Sequence, residues 1–192
     1  MKRLFIFTLG LFIFMSQDAL AQKTVTLATL DWQPYVGSDM PGYGFNAEIV
    51  TEAYKRMGYT VKIEFLSWDD AVNKTQQGEF DGLFPEYYSK ERAEEFLYSD
   101  FFSNSLLVFY KRKDAKISYA SLKDLISYRI GVVKGYINTE EFDSADYLNK
   151  VEFNSDLESL NNLVEGKVDL IVIDKLVAQY LIQKYLPSSA NT

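Results

Sequence analysis

The sequence predicts an α/β fold of two lobes, each a parallel-rich sheet with flanking helices, and three observations carry that expectation. Short β-branched runs alternate with amphipathic helical segments from Thr24 to Phe84, in the order β-loop-α-β-α-β that a parallel sheet with crossover helices requires. The alternation restarts after the charged tract Lys111 to Lys116. Val168 to Ile173 is nearly all apolar, the pattern of a central parallel strand covered on both faces. The lobes are expected at 22–101 and 102–192, with no short-period repeat, low-complexity segment or flexible linker between them.

Each element has a local reason. Thr24 to Leu30 reads as a strand, followed by a loop through Pro34, Gly37, Pro41, Gly42 and Gly44. Asn46 opens a helix whose apolar face is Ile49, Val50, Ala53, Tyr54 and Met57, ending at Gly58. Val61, Ile63 and Phe65 alternate with Lys62 and Glu64 as a second strand, and Ser67 with Asp70 forms a variant capping box for a helix to about Gln77. Phe80 to Phe84 is a third strand and Asn104 to Tyr110 a fourth. A short helix over Ser121 to Ile126 precedes a strand over Arg129 to Val133 and a turn at Gly135. A helix over Thr139 to Tyr147 leads to a brief strand at Val151 to Phe153. Ser155 and Glu158 make a capping box for a helix carrying Leu157, Leu160, Leu163 and Val164, closed by Gly166. Asp174 caps the last helix, which runs to about Tyr185.

Composition narrows function. Met1-Lys2-Arg3, an apolar run from Leu4 to Met15 and Ala19-Leu20-Ala21 read as a secretory signal peptide at 1–21, because the run is too short to span a bilayer. Its only charges are Lys2, Arg3 and Asp18, so a chain of net charge −7 stays acidic after cleavage, which argues against nucleic-acid binding. Without Cys there is neither a disulfide framework nor a thiolate metal site, and stability must come from packing, for which 47% hydrophobic and 16% aromatic residues are ample. Without His, the commonest general base and zinc ligand are missing, which disfavours hydrolases and metalloenzymes. Carboxylates, Lys and Tyr remain available for proton transfer, so an enzyme is disfavoured without being excluded.

The stretch from Gly78 to Phe102 is the most informative. A short strand ends at a turn, and a Ser-capped helical turn then presents Arg92 near that strand's carboxyl end, where open α/β sheets bind ligands. A guanidinium there can grip a carboxylate with two parallel hydrogen bonds, although within Lys90-Glu91-Arg92-Ala93-Glu94-Glu95 it also reads as an exposed surface charge. Trp32 and Trp68 follow the first and second strands and so fall at adjacent strand ends; partly buried core packing is the competing reading.

The same block resembles the lobe-one signature of bacterial extracellular solute-binding proteins of family 3: Gly78-Glu79-Phe80-Asp81, then Glu91-Arg92, then Ser99-Asp100. The resemblance implies the two-lobed type II periplasmic-binding-protein-like fold and a periplasmic monomer that delivers a small solute, amino-acid-like or otherwise polar, to the permease of an ABC importer. It implies no catalysis, cofactor or metal. It makes Arg92 the ligand-carboxylate site, Trp32 and Trp68 the walls of an aromatic sandwich, and Asp174 the acid that pairs with a ligand amino group, against its plain role as a helix cap. Two departures stand out. Pro85, Glu86 and Tyr87 replace the small hydroxyl or glycine residues of amino-acid binders, and Gly135-Tyr136-Ile137-Asn138 replaces a hydroxyl-rich loop. Tyr87 and Tyr136 therefore read either as groups that stack on an amphipathic solute or as interlobe packing. The chain also stops at Thr192, where family members return to lobe one, so that return segment is expected to be missing and lobe one to expose apolar surface. The same module serves as a receptor sensor domain or as a cyclohexadienyl-type dehydratase, for which Glu86 is the one candidate acid.

Overall fold

The computed structural model describes residues 23–189; the expected signal peptide lies outside them. Twelve strands and helices of this region form two sheets. The first is three-stranded and all parallel, in the order β2-β1-β3. It is built from β1 (Lys23–Thr29), α1 (Phe45–Arg56), β2 (Tyr59–Phe65), α2 (Trp68–Gln76) and β3 (Gly82–Leu83). The second has the order β4-β7-β5-β6, with β4 antiparallel to β7 and the other pairs parallel. Its elements are β4 (Leu107–Lys111), β5 (Arg129–Val133), α3 (Glu140–Asp143), β6 (Asn149–Phe153), α4 (Asp156–Val164), β7 (Leu170–Asp174) and α5 (Lys175–Tyr185). No helix among the described residues is long and apolar enough to cross a membrane.

The side-chain period of two decides how β7 is buried. Ile171 and Ile173 belong to a large core shared with Leu27, Ala28, Tyr35 and Trp68 of the first sheet region, whereas Leu170 and Val172 belong to a second core with Ile130, Leu125 and Phe142. Both faces of this strand are thus covered, as an unbroken apolar run requires, and all five of its residues are buried. The larger core is continuous from β1 to α5, and the two sheet regions meet in it through side chains at the strand ends such as Trp32, Tyr35 and Trp68.

Several elements are shorter than their sequences suggest, each because a side chain takes over a backbone bond. The third strand keeps only two residues: the Asp81 carboxylate accepts the Thr26 amide at 2.7 Å and the Thr26 hydroxyl at 2.8 Å, where a longer strand would pair backbone to backbone. The helix expected over 139–147 stops at Asp143: the Ala145 amide turns to Phe142 O at 3.2 Å, and the Asp143 carbonyl accepts Lys150 Nζ at 2.8 Å in place of a backbone amide. The strand expected from Asn104 begins only at Leu107, since the Leu106 amide donates to the Asp174 carboxylate at 3.1 Å. At α4 the Ser155 hydroxyl accepts from Glu158 N at 3.2 Å, while the Glu158 carboxylate reaches past the cap to Asn154 N at 2.8 Å. The Ser67 hydroxyl likewise accepts from Asp70 N and donates to the Asp70 carboxylate.

The stripe predicted for α1 is only half covered. Val50 and Tyr54 pack on the core, but Ile49 is 42% and Met57 75% exposed, because α1 lies over the edge strand β2.

Gly131, in β5, lies directly beneath Ser159 of α4. A Cβ there would lie 2.8 Å from Ser159 Oγ and 3.0 Å from both Ile171 Cγ2 and Phe153 Cε2. Gly131→Ala is expected to destabilise the chain by about 1–3 kcal/mol through overpacking. Urea unfolding checks this, and an unchanged midpoint contradicts it.

Candidate functional site

Carboxyl ends of strands from both sheets converge on one region. From the first sheet come the loop after β1, with Trp32 and Tyr35, the first residue of α2, Trp68, and the segment after β3, Pro85-Glu86-Tyr87. The second sheet supplies Tyr136 after β5, Asp156 at the start of α4 and Asp174 at the end of β7. Trp32 is fixed by an isolated bridge to Val36 and by stacking on Tyr35, with centroids 4.6 Å apart and planes 22° apart, and Tyr87 meets its edge at 5.9 Å.

Two cavities open here. One, of about 130 Å³, is lined by Trp32, Asn46, Trp68, Glu86, Tyr87 and Tyr136 among others. The other, of about 470 Å³, is more polar and includes Asp31, Ser67, Asn154, Ser155 and Asp156. Leu30, Trp32, Trp68 and Tyr136 line both and so form the partition.

Burial sets the electrostatics. Removal from water pushes the Glu86 carboxyl up to about 7, with nearby Arg92 opposing the rise. Their side chains are 11% and 15% exposed, Arg92 Nε lies 3.6 Å from Glu86 Oε2, and neither atom has a hydrogen bond. Arg92 Nη2 also donates to Gly135 O at 3.4 Å, linking the two sheet regions. Asp156 is pushed up to about 7 by burial, and nearby Asp174 raises it further. The hydrogen bond from Tyr136 Oη to Asp156 Oδ2, 3.1 Å, and the indole of Trp32 oppose that rise. Burial likewise raises the hydroxyl pKa of Tyr87 and Tyr136, and pushes Tyr98 up to about 12.

Trp32, Trp68, Tyr87 and Tyr136, all candidates from the sequence, thus line the smaller cavity. Arg92 is not among its lining residues and faces Glu86. Asp174 is only 2% exposed, and its carboxylate accepts four hydrogen bonds, from Tyr35 Oη, Leu106 N, Leu176 N and Val177 N.

 Sequence reasoning missed three residues of this site. Asn46 is the second residue of α1, Asp156 follows the Ser155 cap as the first residue of α4, and Tyr35 lies in the loop after β1. The available signal was position: each follows, or packs beside, the carboxyl end of a strand.

Three ion pairs join the regions around the two sheets: Lys134 to Asp69 at 2.9 Å, Lys184 to Asp39 at 2.7 Å and Lys90 to Glu140 at 3.3 Å. All are substantially exposed, so each contributes at most about 1 kcal/mol.

Two sheets whose strand ends face a shared cleft define a two-lobed binding protein of type II periplasmic architecture. The chain belongs to the bacterial extracellular solute-binding proteins, family 3, whose family model matches residues 26–181. It is 26% identical over 157 residues to the L-cystine-binding protein TcyA of Bacillus subtilis (strain 168), a match covering 77% of this chain and 53% of that protein. The chain therefore spans about half the length of that relative. Among solved structures it resembles holo ArgBP from T. maritima, with a TM-score of 0.72 and 22% identity over 84% of this chain and 73% of the other. A histidine kinase sensor domain similar to periplasmic binding proteins gives a TM-score of 0.73 and 23% identity over 88% and 75% of the two chains.

The raised carboxyls fix a sign for pH dependence. Unfolded Glu and Asp titrate near 4, so between about pH 4 and 7 the folded chain holds more protons than the unfolded one. The contribution of these groups to stability is greatest below that window and declines as pH rises through it. Asp156→Asn and Glu86→Gln remove that titration, so the pH slope of urea-unfolding free energy should change by on the order of 1 kcal/mol per pH unit for each. A slope identical to wild type in both variants overturns the assignment.

Proposed function

We propose that this chain is a periplasmic solute-binding protein that captures a small polar or amino-acid-like molecule and presents it to the permease of an ABC importer. The observation that carries this reading is the aromatic cavity at the meeting of the strand ends, with walls from both sheet regions. A solute held there touches both regions only when they are together, so binding energy favours the closed arrangement and release follows opening. No bond is made or broken.

In this reading the lobes are 22–101 and 102–192, and residues 1–21 direct export. Trp32, Trp68 and Tyr87 hold the solute from one side and Tyr136 from the other. Arg92 and Asp174 act from behind this wall, Arg92 through Glu86 and Gly135, and Asp174 through Tyr35. The protein works as a monomer whose macromolecular partner is the permease. The exposed ion pairs between the regions are weak enough to break and re-form as the cleft opens.

A second reading, ligand sensing by a receptor, draws on the likeness to the histidine kinase sensor domain. Solute uptake by cells with and without the gene separates the two: an importer component loses uptake when deleted, and a sensor loses a transcriptional response instead.

Binding itself is tested by a thermal-shift and indole-fluorescence screen of amino acids, amines and small carboxylates. A true solute at about 100 times its dissociation constant is expected to stabilise the chain by about 2.7 kcal/mol. Trp32→Ala should abolish the shift. If no solute moves the midpoint or the fluorescence, the reading fails.

A further inference from the structure

We propose that the smaller cavity is a subsite for a small organic ammonium ion without a carboxylate, its cationic end against Glu86 and the aromatic faces and its polar end against the Asn46 carboxamide. This rests on the solute-binding reading above and narrows it to one class of ligand.

Size comes first. A cavity of about 130 Å³ is close to one of about 150 Å³ that admits benzene, so the guest has roughly six heavy atoms.

The walls then select its charge. Trp32, Trp68, Tyr87 and Tyr136 line the cavity, and although Tyr35 stacks on Trp32, so dense an aromatic lining attracts cations, methylated ammonium groups most of all because their bulk fills such a box. The charged residues of the lining are Glu86 and Asp100, and no Lys or Arg is among them. The nearby guanidinium, Arg92, is engaged by Glu86 at 3.6 Å and by Gly135 O at 3.4 Å. A carboxylate guest would therefore find Glu86 and Asp100 at the lining and no guanidinium or ammonium.

Unpaired polar atoms give the orientation. Glu86 Oε2 and both amide atoms of Asn46 are buried and have no hydrogen-bond partner among the described residues. Asn46 is 1% exposed and lines the cavity. Leaving such groups unpaired is costly. A cation completes what Arg92, at 3.6 Å and without a hydrogen bond, supplies to Glu86 only in part, and a hydroxyl on the same molecule can both donate to Asn46 Oδ1 and accept from Asn46 Nδ2. An aliphatic guest would satisfy neither.

The test titrates the purified full chain with choline, tetramethylammonium and 3,3-dimethylbutan-1-ol, the uncharged carbon analogue of choline, alongside alanine and acetate, following indole fluorescence and calorimetry. Choline is expected to bind at least about tenfold more tightly than its uncharged analogue, and more tightly than alanine or acetate. Glu86→Gln should cut choline affinity by at least about tenfold. Asn46→Leu should erase the preference for choline over tetramethylammonium while leaving tetramethylammonium bound. The comparison of choline with its carbon analogue uses wild-type protein alone, so it decides the matter even where a variant fails to fold. Equal binding of the two, or tighter binding of alanine than of either cation, overturns the cation subsite and leaves the solute-binding reading standing. No binding by these probes or by any solute of the wider screen overturns both.

Discussion

One buried carboxylate holds the molecule's parts in register. Asp174 ends the central strand β7, caps α5 through Leu176 N and Val177 N, takes the Leu106 amide at the entry to β4, and accepts the Tyr35 hydroxyl from the loop after β1. Strand, helix, crossover segment and the opposite sheet region thus meet at two oxygen atoms. A buried carboxylate is tolerated only when its lone pairs are filled, and here four donors fill them. Because Tyr35 also stacks on Trp32, the position of the cavity wall follows from the cap of a helix in the other half of the chain.

The site gains its character from taking charge out of water. Glu86 and Arg92 lie close enough to attract, yet at 3.6 Å and without a hydrogen bond they do not offset the full cost of burial. The carboxyl accordingly moves toward its neutral form, as does Asp156 behind the partition. Unsatisfied polar atoms concentrate at this cleft: Trp32 Nε1, both amide atoms of Asn46, Glu86 Oε2 and Arg92 Nε. Stability given up at one place in an otherwise well-packed core is what a binding cleft requires, since a guest can recover it.

The aromatic residues do two jobs that pull in different directions. Trp32 and Trp68 are 8% and 6% exposed, so they belong to the continuous core, and they also line both cavities. Tyr136 joins them and is anchored to Asp156. The wall between the cavities is therefore well packed, and polar on its far side. Ion pairs at the rim add little by comparison, because water screens them.

Period and capping were legible in the sequence because they are local. The alternation in β2, the unbroken apolar run of β7, the caps at Ser67, Ser155 and Asp174 and the bounds of β5 follow from side-chain direction and from which residues can satisfy a helix's first amides. The placement of Trp32 and Trp68 at strand ends was equally available. Only the tertiary structure decided where those residues point: that Arg92 faces Glu86, that Tyr35 is the ring stacked on Trp32, that Asn46 and Asp156 border the cavities, and that Asp174 spends its oxygens on four internal donors. Those facts depend on groups up to 139 positions apart in the chain, as in the bond from Tyr35 to Asp174, and no local rule of sequence carries the energy of a contact made at that distance.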